Sequence, residues 1–121
     1  MCGICGVFNY GNSRQTFDEA LLVGMSDTIK HRGPDDSGTW AIEDVAVADR
    51  RLSIIDVSGG HQPMVTDDGV VIVFNGEVYN YRVLREELQR AGYHFRTTSD
   101  TEVVLNLYHR LGIAGLERLE G

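Results

Sequence analysis

The longest uninterrupted aliphatic run in this chain is Val-Val-Ile-Val-Phe at residues 70–74, and its brevity limits what the sequence can fold into. A membrane-spanning helix needs roughly 20 consecutive apolar residues, so this run cannot cross a bilayer. Its β-branched content instead predicts a strand buried on both faces. The other apolar residues are dispersed in short periodic stretches, so the core must be assembled from several small elements. With 121 residues and 42% apolar content, the chain has material for one domain with a modest core.

Periodicity and punctuation place those elements. Residues 4–10 read as a first strand. Thr16 and Glu19 form a capping-box pattern ahead of Phe17, Leu21, Met25 and Ile29, which recur at helical spacing. Gly33-Pro34 is expected to end that helix. Residues 40–42, 45–48 and 52–55 read as strands, the first two joined by a Glu43-Asp44 turn. Asn80 is placed to cap a second helix with Leu84, Leu88 and Ala91 inward and Gly92 at its stop. Ser99 and Glu102 repeat the capping box before a third helix carrying Val104, Leu107, Tyr108 and Leu111, closed by Gly112. Strands and helices in separate runs point to an α+β layered sandwich.

Composition narrows the function classes. A net charge of −7 argues against a nucleic-acid or anionic-membrane surface. No basic segment followed by an apolar run opens the chain, so no secretory signal is expected. Two cysteines do not make a disulfide scaffold, and a cytoplasmic setting fits that usage.

Cys2 carries the most chemical information. Loss of Met1, which a small residue at position 2 permits, would put a thiol and a free α-amine on one residue. An ordinary α-amine titrates near ~8 and a thiol near ~8.5, so one relays the other's proton close to neutral pH. That combination is a self-contained nucleophile, activated by its own backbone nitrogen. The competing reading is the Cys2-Gly-Ile-Cys5 pattern as a metal or redox pair. A zinc site needs two further ligands, yet there is no second cysteine pair, and His31, His61, His94 and His109 lack ligand spacing. No metal is therefore assigned, and Cys5 is read as a small core residue.

Five further segments look chemical, each with a plainer structural alternative. Residues 31–38 (His-Arg-Gly-Pro-Asp-Asp-Ser-Gly) are too charged for a simple turn, although a polar loop with Asx turns accounts for the residue types. Arg50-Arg51 stands at the mouth of an apolar stretch, where an arginine either clamps a carboxylate or solvates a strand end. Residues 58–63 form a loop of unclear purpose, with His61 read as structural. Asn75-Gly76 offers a side-chain amide beside a glycine N–H, two donors able to converge on one oxygen, or else a plain Asn-Gly turn. Asp100 in the first turn of a helix suits the helix dipole whatever else it does.

Taken in order, Met-Cys-Gly-Ile-Cys-Gly-Val, His-Arg-Gly-Pro-Asp, Arg-Leu-Ser-Ile-Ile-Asp, Phe-Asn-Gly-Glu-Val-Tyr-Asn and Thr-Ser-Asp-Thr-Glu resemble the class II glutamine amidotransferase domains of the N-terminal nucleophile hydrolases. Within that group the chain is most similar to the glutaminase domains of glutamine-hydrolysing asparagine synthetases. The resemblance spans nearly the whole chain. It implies a four-layer αββα sandwich, here incomplete: residues 1–121 would be the N-terminal part of such a domain, with later strands and a synthetase domain absent.

The resemblance also implies roles for individual residues. Cys2 would be the nucleophile, with Asn75 and Gly76 as oxyanion donors. Arg51 would hold the glutamine α-carboxylate, with Leu52, Ser53, Ile54 and Ile55 along the same wall. Glu77 and Asp100 would pair with the α-ammonium. Glutamine is the implied substrate, and the domain itself would need no cofactor. ATP, Mg and aspartate would belong to the absent synthetase domain, and a homodimer is left open. Two other readings share these residues: a different ammonia acceptor, or a non-catalytic scaffold.

Overall fold

The computed structural model describes residues 2–10, 18–52 and 59–121. The chain divides into two compact units. The first comprises mainly residues up to 53 with 61–63 and 73–75, and the second comprises mainly residues 64–72 and 76–121.

The first unit is organised by a three-stranded antiparallel sheet of order β1-β3-β2, with β1 at Gly3–Phe8, β2 at Asp36–Ile42 and β3 at Val45–Arg51. β2 and β3 form a hairpin across the expected Glu43-Asp44 turn, with Ile42 opposite Val45. Glu43 takes the positive φ (27°) that such a tight reversal demands. Leu52, the one described residue of the strand expected at 52–55, lies outside β3, which runs unbroken through Asp49, Arg50 and Arg51, three residues beyond its expected end at Ala48. Their charge pattern suggested an interruption. Pairing to β1 on one edge and β2 on the other satisfies the backbone and overrides it. Ser53, Ile54 and Ile55 lie outside the described residues.

Helix α1 spans Glu19–Thr28 and covers one face of the sheet. Asp18 caps it, its carboxylate accepting from Ala20 N–H at 2.9 Å, whereas the expected Thr16 cap and Phe17 lie outside the described residues. The inward stripe is shifted by one residue from expectation. Leu22 and Ser26 are buried, while Leu21 is 58% exposed. Leu22 packs with Ala46 and Ala48 of β3, and Cys5 joins that cluster as the core residue expected of it. The helix also ends earlier than Gly33. The chain tightens into a 3-10 turn at Lys30–Arg32, and Gly33 then passes against the Arg50-Arg51 backbone, where no Cβ would fit.

Among the described residues, the second unit holds a two-stranded ladder, β4 (Met64–Val65) with β5 (Val71–Ile72), and three helices. Residues 70–74 are half-buried, and only Val71 and Ile72 are ladder-paired. The expected long strand buried on both faces is thus not observed. Helix α2 (Tyr81–Arg90) buries Leu84 and Leu88 but leaves Ala91 exposed at its end, where Gly92 (φ 93°) supplies the expected stop. Asn80 occupies the cap position without capping. Its amide donates to Arg118 C=O (2.9 Å) and its oxygen accepts from Glu120 N–H (3.2 Å), tying down the last residues.

Helix α3 (Asp100–Leu111) is the most deeply buried element, with Val103, Val104, Leu105 and Leu107 all inside. Tyr108 and Leu111, expected inward, are about two-fifths exposed (42% and 40%), because the buried stripe runs through Val103 and Leu105 instead. Gly112 (φ 62°) closes α3 as expected, and α4 (Ile113–Leu116) follows. Ser99 caps α3 by accepting from Thr101 N–H at 3.1 Å.

Glu102 departs from the standard capping box. It accepts from Arg96 N–H (2.8 Å), Thr97 N–H (2.7 Å) and the Thr97 hydroxyl (2.6 Å), so one buried carboxylate organises the whole approach to the helix. Hydrogen bonds to a charged group contribute about 1.5–3 kcal/mol, against about 1 kcal/mol for an ordinary cap. Glu102→Ala is therefore expected to lower stability by about 3 kcal/mol and Ser99→Ala by about 1 kcal/mol, as read from urea denaturation midpoints.

Candidate active site

Cys2 lies just before β1, half-buried, and its sulfur is bracketed by one residue of the main chain. Leu52 N–H donates to Sγ at 3.4 Å, and Sγ–H reaches Leu52 C=O at 3.7 Å. Register explains the meeting. Gly3 pairs with Arg50 in the antiparallel β1–β3 ladder, so the residue before β1 runs alongside the residue after β3. A second clamp comes from Arg32, whose Nε donates to Cys2 C=O at 3.2 Å. Asp35 N–H donates to Arg51 C=O at 3.1 Å. The His-Arg-Gly-Pro-Asp segment thus holds the main chain at both Cys2 and Arg51. Sequence reasoning singled out that segment but did not select Arg32.

Arg50 and Arg51 are adjacent, and β geometry sends their side chains to opposite faces. Arg50 turns towards α1. Its Nε donates to Ser26 Oγ (3.0 Å) and its guanidinium pairs with Asp27, a cation placed at the negative end of that helix. Arg51, the candidate carboxylate clamp, is buried on the other face (6% exposed), opposite Asp36 in the ladder.

That second face also carries Asp49, which sequence reasoning missed. Asp49 is 1% exposed, and neither carboxylate oxygen makes a well-formed hydrogen bond among the described residues, the neighbouring Arg50 amide giving only marginal support. Burial pushes its pKa up to about 6. The negative charge of Asp36 adds to that shift, while Arg51 and His61 oppose it. His61 itself pairs with Asp36 at 2.8 Å, consistent with the structural role expected of it. A signal was present in the sequence: Ala46 and Ala48 mark the core face of β3, which puts residue 49 on the other.

The remaining candidates fall on different parts of the chain. Asn75 belongs to the first unit and is exposed, beyond the end of β5. Gly76, Glu77 and Asp100 belong to the second unit. There, Asp100 is buried at the first turn of α3, and its Oδ2 accepts from Val78 N–H at 2.9 Å, next to the exposed Glu77. The structure thus brings Cys2 to Leu52 and Asp100 to the residue beside Glu77. Both cysteines are free thiols. Burial pushes the Cys5 thiol pKa up, with Arg50 opposing, which leaves Cys5 protonated and unreactive. A cavity between α1 and β2, lined by Asp18, Leu22, Thr39 and Trp40 among others, contains none of the candidate residues.

Asp49 generates a pH-dependent expectation. A carboxyl whose folded pKa lies above its ordinary value binds its proton more tightly in the folded state. Stability is then lost as pH rises from about 4 through about 6. Asp49→Asn removes that titration. Its stability relative to the unsubstituted protein is expected to grow across that window and level off above it, as read from denaturation midpoints at pH 4 to 8. A difference that stays flat with pH would contradict the assignment.

Comparison with known proteins identifies the family. A glutamine amidotransferase domain family model matches residues 1–121. Asparagine synthetase [glutamine-hydrolyzing] 1 of Bacillus subtilis is 49% identical over the whole chain, which covers 20% of that relative. Asparagine synthetase [glutamine-hydrolyzing] 2 of Arabidopsis thaliana is 40% identical over the whole chain, covering 21% of that protein. For asparagine synthetase B [glutamine-hydrolyzing] of Escherichia coli the identity is 40%, with 22% of its length covered. The chain spans about a fifth of the length of the curated relatives it matches. The chain therefore belongs to the glutamine amidotransferase domain family, in the form that matches asparagine synthetases.

Proposed function

We propose that this domain hydrolyses glutamine to glutamate and ammonia through a thioester on Cys2. The observation that carries the reading is the setting of the Cys2 sulfur, held by the Leu52 main chain on one side and by Arg32 through the Cys2 carbonyl on the other. With Met1 removed, the Cys2 amine takes the thiol proton, and the thiolate adds to the side-chain amide carbon of glutamine. Asn75 and the Gly76 N–H stabilise the oxyanion of the tetrahedral intermediate. The amine then returns its proton to the leaving nitrogen, ammonia departs, and water hydrolyses the γ-glutamyl thioester to regenerate the thiol.

Substrate recognition is assigned by charge. Arg51 takes the α-carboxylate, with the main chain from Leu52 through Ser53, Ile54 and Ile55 beside it. Glu77 and Asp100 take the α-ammonium. The burial of Arg51 supports its part, since a partly desolvated guanidinium binds a carboxylate more strongly than an exposed one. Arg51 shares its face with Asp49, so substrate carboxylate and Asp49 compete for the same positive charge.

Two wider features belong to the same reading. The second face of the sheet exposes Ile4 and Phe8 of β1 and Ile42 of β2, which favours a facing layer as in a four-layer sandwich. The matched relatives are named glutamine-hydrolysing asparagine synthetases, which supports a reading in which the released ammonia serves asparagine synthesis. No helix among the described residues is long and apolar enough to cross a membrane.

A glutamine-like diazo-ketone is expected to label the protein covalently at Cys2, and both labelling and ammonia release are expected to vanish in Cys2→Ala. Undiminished hydrolysis in that variant would overturn the proposal. Asn75→Ala is expected to lower kcat by about 10²–10³, equivalent to about 3 kcal/mol, with little change in KM.

A further inference from the structure

The Gln62 side chain is committed to main chain beside the candidate oxyanion donor, yet the proposed chemistry does not use it. It is 4% exposed. Its Oε1 accepts from Phe74 N–H at 2.6 Å, and its Nε2 donates to Phe74 C=O at 3.2 Å. A primary amide carries the same donor and acceptor as a peptide group, so this pair imitates one rung of an antiparallel ladder.

The imitation falls where main chain cannot serve. Pro63 has no N–H to give. By residue count, Gln62 stands two before Met64 and Phe74 two after Ile72, the paired residues of β4 and β5. Gln62 is also fixed from behind, because its carbonyl lies against Gly38 of β2, where a Cβ would collide with it. Sheet, Gln62 and Phe74 form a continuous relay, and the residue that follows Phe74 is Asn75.

We propose that Gln62 is a positioning residue for the oxyanion donor, holding the 73–75 segment so that the Asn75 amide is fixed before substrate arrives. This rests on the reading of Asn75 as that donor. Preorganisation is what makes such a donor effective, and misplacement by about 1 Å costs about 10²-fold in rate. Losing the Gln62 bridge therefore lowers kcat and leaves substrate binding largely intact.

The test compares Gln62→Met, Gln62→Glu, Asn75→Ala and the Gln62→Met/Asn75→Ala double variant in glutamine hydrolysis by the intact protein. Gln62→Met, close to the native volume, is expected to lose about 10²-fold in kcat with KM changed less than about threefold. Gln62→Glu keeps the acceptor for Phe74 N–H and is expected to retain more kcat than Gln62→Met. The double variant is expected to match Asn75→Ala within about threefold, because both remove one function. Hydrogen exchange at the Phe74 amide should rise in Gln62→Met while the α3 amides stay protected. If Gln62→Met loses α3 protection too, the Gln62→Glu comparison decides. Unchanged kcat in the Gln62 variants, a loss confined to KM, or effects that multiply in the double variant would overturn the proposal. Unchanged kcat in Asn75→Ala would instead overturn the oxyanion reading beneath it.

Discussion

Pairing of β3 on both edges is the constraint from which the first unit takes its order. Because β1 and β2 satisfy its backbone, β3 continues through three charged residues that would otherwise favour solvent. Alternation then sorts those residues. Ala46 and Ala48 are small enough for α1 to lie close, with Leu22 between helix and sheet. The opposite parity sends Asp49 and Arg51 to the other face, and the same register delivers Leu52 to the Cys2 sulfur. Core packing and the placement of the Cys2 sulfur are consequences of one hydrogen-bonding pattern.

The charges follow the same logic. Arg50 is satisfied by Ser26 and Asp27 at the end of α1, a structural role. Arg51, one residue on, is left to the face that carries Asp49 and Asp36. A buried carboxylate without good hydrogen bonds is costly, and the protein offsets part of that cost by protonation in mildly acidic solution and by the guanidinium nearby. In the second unit Glu102 shows the opposite solution, a buried carboxylate supplied with three donors.

What was legible in the sequence was mostly local. The Glu43-Asp44 turn, the Ser99 cap and the glycine stops at 92 and 112 depend on a few neighbouring residues, and each stands where expected. The family was readable because five ordered motifs are unusual in combination. Features decided by distant partners were not. Strand β3 outran its expected end because β1 and β2 paired with it. Asn80 forsook its capping role because Arg118 and Glu120 came within reach. The stripe of α3 turned because burial, not periodicity, selected Val103 and Leu105. Arg32 and Gln62 went unnoticed as candidates since each acts on a residue far away in the chain.

The contact between Cys2 and residue 52 is made by peptide atoms alone, so the identity of the leucine is immaterial to the sulfur. Nineteen side chains could occupy that position with the cradle intact, and proline alone would strip the donor away. The side chain at position 52 is thereby free to change without disturbing the two main-chain contacts to the Cys2 sulfur. What the sulfur feels and what the side chain at 52 presents are thus separable, although one residue supplies both.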